Sequence, residues 1–306
     1  MKKFLIVSLL VCSVTLISGS IKNSEKSEKK VTVPVNTKPL TVSINPAQNV
    51  KQGQTIFVNI NSKYTLKNPH IVFDNNKIKI FKNKNNTYVG LIGLDAMEKP
   101  GNHKILISDD TGKLSERKVI NVISGKFPVQ NIVISGSKGG LEPTRYELAR
   151  VQQAKYTLSN FNYWNNPVQT IPPFNMPTKG CIISVYGLNR YHNGVPTGDF
   201  HKGLDIKAPQ GQRINTITAG KVLIARQFRL HGGTVAVDHG QGVVSIYLHM
   251  SKINVKEGQM VKANQKIGEV GSTGFATGPH LHWGLYINGI PVNPVDFWVR
   301  KVDKCS

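Results

Sequence analysis

The sequence predicts a mainly β protein in which two β regions are joined by one helix. Three observations carry this. Short apolar runs with period-two alternation recur from Leu40 onward, each bounded by turn residues. One stretch, Glu142 to Ala154, has proline near its start, acid in its first turn and good helix formers after it. From Cys181 the alternating runs resume, with glycines between them. The 306 residues are enough for two domains with cores of their own.

Residues 1–20 read as a secretory signal. Lys2 and Lys3 form a basic start, Phe4 to Ile17 an apolar stretch, and Ser18-Gly19-Ser20 a small-residue exit. The apolar run is too short to favour a membrane span, and a retained anchor is the alternative. Residues 21–39 are polar, charged and punctuated by proline, as in a flexible tether. Residues 40–134 read as a β-sandwich. Its strands include Leu40–Ile44, Ile56–Ile60, Ile78–Ile80, Tyr88–Ile92, Lys104–Ile107 and Val119–Val122, and Pro100-Gly101 marks a turn. His70 and His103 stand apart from any ligand-like cluster there and read as surface or satisfied histidines. Residues 135–180 form a linker that holds the helix, with 161–180 as an extended connector. Residues 181–306 form a second, antiparallel β domain.

The chain has 39 Lys and Arg against 17 Asp and Glu, a formal net charge of +22. Such a balance attracts polyanions: nucleic acid, anionic lipid or an anionic wall polymer. No basic helix, zinc finger or aromatic repeat supports a nucleic-acid partner. No strand, glycine loop and helix unit supports a nucleotide. Beyond the signal, the cysteines are Cys181 and Cys305. In an exported protein they could pair, and the sequence leaves pairing and free thiols both open.

The residues that suggest chemistry lie in two short stretches. His280 and His282 are two apart, so a strand gives them one face, with Leu281 opposite. His201, Gly203 and Asp205 would likewise share a strand face, with Leu204 and Ile206 opposite. Two imidazoles and one carboxylate make a catalytic zinc set that leaves a position for water. His201, Asp205 and one histidine of the 280/282 pair supply it. Manganese and iron suit the same ligand types. The remaining histidine of the pair, or His249, would be the acid or base. His249 ends a run in which Ser245, Tyr247 and His249 share what reads as a polar face.

These residues also carry a family resemblance. Ser184-Val185-Tyr186-Gly187-Leu188-Asn189-Arg190, His201 to Pro209, Val237-Asp238-His239-Gly240, Tyr247-Leu248-His249-Met250, Gly271-Ser272-Thr273-Gly274 and Thr277 to Trp283 resemble the lysostaphin-type (LytM-like) zinc endopeptidases. Those enzymes cut peptide cross-bridges of bacterial peptidoglycan. The resemblance runs over about residues 180–300. It implies that His201, Asp205 and His282 bind Zn2+, and that His249 and His280 do the acid–base and transition-state work. It leaves Arg190 and Tyr247 without a firm role, and His231 and His239 outside the motifs as structural histidines. Residues 40–134 resemble, more loosely, the Ig-like leader domain of some members, which by analogy packs near the cleft and restricts access. The expectation is an exported, monomeric enzyme of the periplasm, envelope or medium, peripherally associated with wall or membrane surface. Its substrate would be a peptidoglycan peptide. The alternative is a catalytically silent activator of other wall hydrolases.

Overall fold

A computed structural model describes residues 39–133, 141–161, 174–297 and 304–305. The expected signal, nearly all of the tether and most of the 161–180 connector lie outside the described residues. The described chain is mainly β. Residues 38–306 form one unit.

The first nine strands are β1 (Leu40–Asn45), β2 (Val50–Lys51), β3 (Thr55–Ser62), β4 (His70–Phe73), β5 (Asn76–Lys79), β6 (Phe81–Lys82), β7 (Thr87–Gly93), β8 (Gly101–Ser108) and β9 (Ser115–Ile123). They make two sheets, in the orders β1-β3-β7-β6 and β2-β9-β8-β4-β5. Alternation sets which face is covered: in β8, His103, Ile105 and Ile107 are buried while Asn102 and Lys104 are exposed. Ile56, Val58 and Ile60 of one sheet share an apolar core with Ile71, Ile105, Ile107 and Ile120 of the other. The two sheets are thus packed face to face.

After β10 (Val129–Ile132) comes helix α1 (Arg145–Lys155). Thr144 caps it. Its Oγ1 accepts the Glu147 N–H at 3.1 Å, and the Glu147 carboxylate accepts the Thr144 N–H. Pro143 sits just before the cap, where a missing N–H does no harm.

The second region contains β11 (Cys181–Ser184), β12 (Asn189–His192), β13 (Val195–Phe200), β14 (Leu204–Lys207), β15 (Arg213–Asn215), β16 (Gly220–Gln227), β17 (Gly233–Gly240), β18 (Val243–Met250), β19 (Lys252–Ile253), β20 (Met260–Val261), β21 (Lys266–Glu269), β22 (His280–Ile287) and β23 (Ile290–Val292). The main sheet runs β11-β14-β22-β18-β17-β16-β20, with β23 also on β22. Its pairings are antiparallel. Alternation gives it two distinct faces. Leu281, Trp283, Leu285 and Ile287 of β22 enter one core with Leu204, Val235, Val237 and Tyr247. Tyr286 faces the other way and packs with Ile224, Ala236, Ile246 and Leu248 against Val151 and Ala154 of α1.

The two regions join at the far end of β22. The Asn288 side chain donates to the Leu91 carbonyl at 2.7 Å, and the Asn293 N–H to the Gly53 carbonyl at 2.8 Å. Phe81, Val89 and Leu91 enter the same core as Ile287 and Val292. His282 lies five residues up the strand, roughly 17 Å away at strand rise. These particular contacts therefore lie away from His282. Backbone pairing also crosses the boundary drawn at residue 134, because β10 pairs in parallel with β12.

Cys181 and Cys305 form a disulfide, with their Cα atoms 5.0 Å apart. The Cys305 N–H donates to the Ile182 carbonyl, so the bond ties residue 305 to β11 beside β14. The bridge spans 124 residues of sequence. Replacing Cys305 with serine should lower unfolding free energy by about 2–4 kcal/mol, with urea unfolding as the measurement. An unchanged midpoint would show that the bridge adds nothing to the fold.

Candidate metal centre and active site

The register of β14 and β22 sets Asp205 directly opposite His282. His201 arrives by a different route from the one its spacing predicts. It lies in the bend after β13, and β14 begins only at Leu204, so strand alternation does not align it with Asp205. Its backbone is fixed instead by the Leu188 carbonyl, which accepts its N–H at 2.9 Å, and by the Gly187 N–H, which donates to its carbonyl at 2.9 Å. The bend needs the glycine that follows. A Cβ on Gly203 would lie 2.5 Å from the Trp283 carbonyl oxygen and 2.8 Å from His282 Nε2.

Three donor atoms converge. His201 Nε2 lies 3.1 Å from Asp205 Oδ1, His282 Nδ1 lies 2.9 Å from the same oxygen, and the two nitrogens are 3.1 Å apart. Ligands at 2.0–2.1 Å around a tetrahedral ion stand about 3.3 Å from each other. The triangle therefore fits one small divalent cation. The hydrogen bonds around it agree. His201 Nδ1–H donates to the Val185 carbonyl at 2.8 Å, which leaves the Nε2 lone pair facing Asp205. His201 is fully buried. Burial alone would raise the Asp205 carboxyl, but hydrogen bonds and charge interactions with His201 and His282 outweigh it and hold the group well below the usual carboxylate range. His282 is pushed down to about 3, chiefly by burial and against the pull of Asp205. At neutral pH Asp205 is therefore a carboxylate and His282 a neutral imidazole, the forms that coordinate metal.

Two further histidines stand beside this triangle. His280 Nδ1–H donates to the Gly278 carbonyl at 2.8 Å. Its Nε2 lies 3.9 Å from Asp205 Oδ1. His249 Nδ1–H donates to the Thr273 carbonyl at 2.9 Å. The His249 ring centroid is 4.9 Å from that of His280 and 6.2 Å from that of His282. In both rings Nδ1 is committed to a carbonyl, which leaves Nε2 as the atom open to proton exchange. Burial pushes His249 down to about 4.

His249 reaches this place by breaking the pattern of its strand. Val235 pairs with Tyr247, but Gly233 pairs with Met250, so β18 carries one extra residue. His249 has φ +64°, in the left-handed region. The expected shared face of Ser245, Tyr247 and His249 does not form. Tyr247 and Met250 enter the core, Leu248 lies on the α1 face, and His249 joins His280. The Ser245 and Tyr247 face is no polar surface either. His239 Nε2 bonds Ser245 Oγ at 2.7 Å, Ser245 Oγ bonds the Tyr247 hydroxyl at 3.0 Å, and the Ile217 N–H donates to that hydroxyl at 3.1 Å. Tyr247 and His239 are thus buried structural groups. Burial pushes His239 down to about 4. Arg190 lies in β12, outside the triangle.

His231 and Glu147 carried no functional signal in the sequence beyond a helix-start acid and a loop histidine. The structure joins them: His231 Nδ1 donates to the buried Glu147 carboxylate at 2.5 Å, and the His231 carbonyl accepts the His249 N–H. In the sandwich, a second cluster corrects the reading of His103 as standing apart, since Asp74, Glu98 and His103 approach one another. His103 Nδ1 lies 2.7 Å from Asp74 Oδ2, and Nε2 2.6 Å from the Lys99 carbonyl. Burial works against its charge, but these two acceptors win and raise its pKa. Both nitrogens are donors, so no lone pair is offered to a metal. His70 is satisfied by the Asn68 carbonyl and Ser108 Oγ.

A triangle of two imidazoles and a carboxylate, His201 fully buried and the other two partly so, flanked by two more imidazoles, defines a metallohydrolase-type centre. Residues 199–294, which contain all five groups, match peptidase family M23. The peptidoglycan DD-endopeptidase ShyA of Vibrio cholerae is 34% identical over 180 residues, 59% of this chain and 40% of that protein. The DD-carboxypeptidase/endopeptidase Mpg of Neisseria meningitidis serogroup B is 41% identical over 114 residues, 37% of this chain and 26% of that protein. The chain thus spans less than half the length of these curated relatives. A crystal structure of a candidate peptidase M23 from Pseudomonas aeruginosa matches with a TM-score of 0.57 and 27% identity, covering 80% of this chain and 93% of that one.

Two outcomes follow from this geometry. A left-handed φ strains a histidine but not a glycine. His249→Gly should therefore unfold at equal or higher urea concentration than wild type, by up to about 1 kcal/mol, while losing activity; a variant destabilised by more than that would show that the ring, not the backbone, dominates. His239 and His249 bind fewer protons folded than unfolded between about 4 and the ordinary 6.5. Stability should then fall as pH drops through that window, by up to about 1.4 kcal/mol per pH unit for each ring. Urea unfolding with chelator from pH 7 to pH 4.5 measures this, and a flat profile would contradict it.

Proposed function

We propose that the chain is an exported zinc-dependent endopeptidase that hydrolyses peptide cross-links of bacterial peptidoglycan. The single observation that carries this is the convergence of His201 Nε2, Asp205 Oδ1 and His282 Nδ1 within 3.1 Å of one another, beside two imidazoles with free Nε2 atoms. His201, Asp205 and His282 would hold the zinc ion. When bound, zinc lowers the pKa of coordinated water and polarises a carbonyl oxygen. His249 and His280 supply the proton traffic. In each, a carbonyl holds the Nδ1 proton, so Nε2 is the atom that accepts a proton from the attacking water. Once protonated, the same atom donates to the leaving amine or to the tetrahedral oxygen. Burial keeps His249 neutral before the reaction, the form a base requires.

The substrate class rests on the relatives' names and on the match to family M23. The net charge of +22 suits an anionic wall polymer and a peripheral place at the wall or membrane surface. We assign the two packed sheets of residues 40–123 as the Ig-like leader, and the working form as a monomer of the periplasm or envelope. The filled set of five side chains favours this enzyme over a silent activator of other hydrolases.

Asp205→Ala and His282→Ala should each abolish product release from purified peptidoglycan and lower bound zinc to background. His249→Ala should lower turnover at least 100-fold (about 3 kcal/mol of barrier) with zinc still near one per chain. Metal analysis beside mass-resolved digests reads both quantities. Loss of zinc from His249→Ala would overturn the division of roles, and a wild-type protein with zinc but no products would favour the activator.

A further inference from the structure

Helix α1 contributes a carboxylate that the five-residue centre does not use. Glu147 is fully buried in the first turn of the helix. Besides the cap, its oxygens serve a turn far along the chain. The Leu230 N–H donates to Oε1 at 3.1 Å and to Oε2 at 3.3 Å. The His231 N–H donates to Oε1 at 2.9 Å, and His231 Nδ1 to the same oxygen at 2.5 Å. Burial would raise the carboxyl, but these bonds outweigh it and keep the pKa below its ordinary value.

The turn that Glu147 holds in turn holds His249. The His231 carbonyl accepts the His249 N–H at 3.0 Å. Two residues on, the Gly233 N–H donates to Thr273 Oγ1 at 2.8 Å, and the Thr273 carbonyl accepts the proton of His249 Nδ1. The backbone anchor of His249 is thus part of the 230–233 turn, and its ring anchor is tied to that turn. His249 needs both, because its left-handed φ is kept only where the surroundings over-determine it.

We propose that Glu147 is a positioning residue for His249. Its carboxylate clamps the Leu230–His231 turn, and the His231 carbonyl then keeps His249 in the conformation that turns its imidazole toward His280. The catalytic consequence rests on the function proposed above; the structural one does not. The linker helix is on this account part of the active centre, not only a connection.

The test uses the full mature chain and three variants. Val151→Ala removes apolar contact from the same helix while leaving the Glu147 hydrogen bonds to Leu230 and His231 in place and controls for loosened docking. Glu147→Ala should lower kcat on purified peptidoglycan 10- to 100-fold with KM and zinc content unchanged, and speed amide exchange at least tenfold in peptides covering 229–233 and 248–250. Val151→Ala should lower the melting temperature yet leave kcat within twofold. Glu147→Gln, which keeps an oxygen for the two N–H donors, should recover part of the lost kcat. If Val151→Ala lowers kcat as much as Glu147→Ala, or if exchange at 248–250 is unchanged in Glu147→Ala, the proposal is overturned. Should wild type release no product, the proposed function fails, while the exchange comparison still decides whether Glu147 positions His249.

Discussion

The centre depends first on the antiparallel register between β14 and β22. That register sets Asp205 opposite His282, at the distance where directly opposed side chains touch. The other face of the same strands enforces it. Leu204, Leu281, Trp283 and Leu285 are all buried in one core. A slip of one residue would turn the histidines into that core and Trp283 out of it, so the slip is strongly disfavoured. The apolar face thereby fixes the chemistry of the polar one. His201 is then brought to the triangle by a bend, and Gly203 leaves room for the His282 ring.

His249 shows the opposite logic. Its strand would send it into the core beside Tyr247, and a bulge with a left-handed residue turns it out. Glycine is the residue suited to that backbone, and a histidine stands there instead. Local stability and site chemistry conflict at this position, which is where conflicts of this kind are expected in folded proteins. The bonds from His231 and Thr273 hold the compromise in place.

Much of this was legible in the sequence. Alternation located the strands of both regions, because one buried face per strand writes itself as a period of two. Proline and acid at its start located α1, although the Thr144 cap sets its first residue as Arg145. The residues that the structure brings together could be singled out from the sequence, His280 and His282 by strand spacing, while the roles assigned to the five come only from the family resemblance. The bend at His201 and the bulge at His249 were not readable: Gly203 reads equally well as part of an extended segment, and position 249 carries no glycine or proline that would announce a bulge. Glu147 read as a helix-start acid, and its partners lie 83 and 84 residues away, a distance no local pattern spans. The same holds for the pairing of β10 with β12 and for the disulfide, where geometry alone decides.

The central claim is that His201, Asp205 and His282 hold one zinc ion. X-ray absorption at the zinc edge of the purified, zinc-loaded chain tests it most directly. The expected spectrum shows four light ligands at about 2.0–2.2 Å, two of them imidazoles and none of them sulfur. The protein-bound zinc signal should vanish in His282→Ala and persist, with both imidazoles, in His280→Ala. A thiolate at about 2.3 Å, or a spectrum unchanged by His282→Ala, would contradict it.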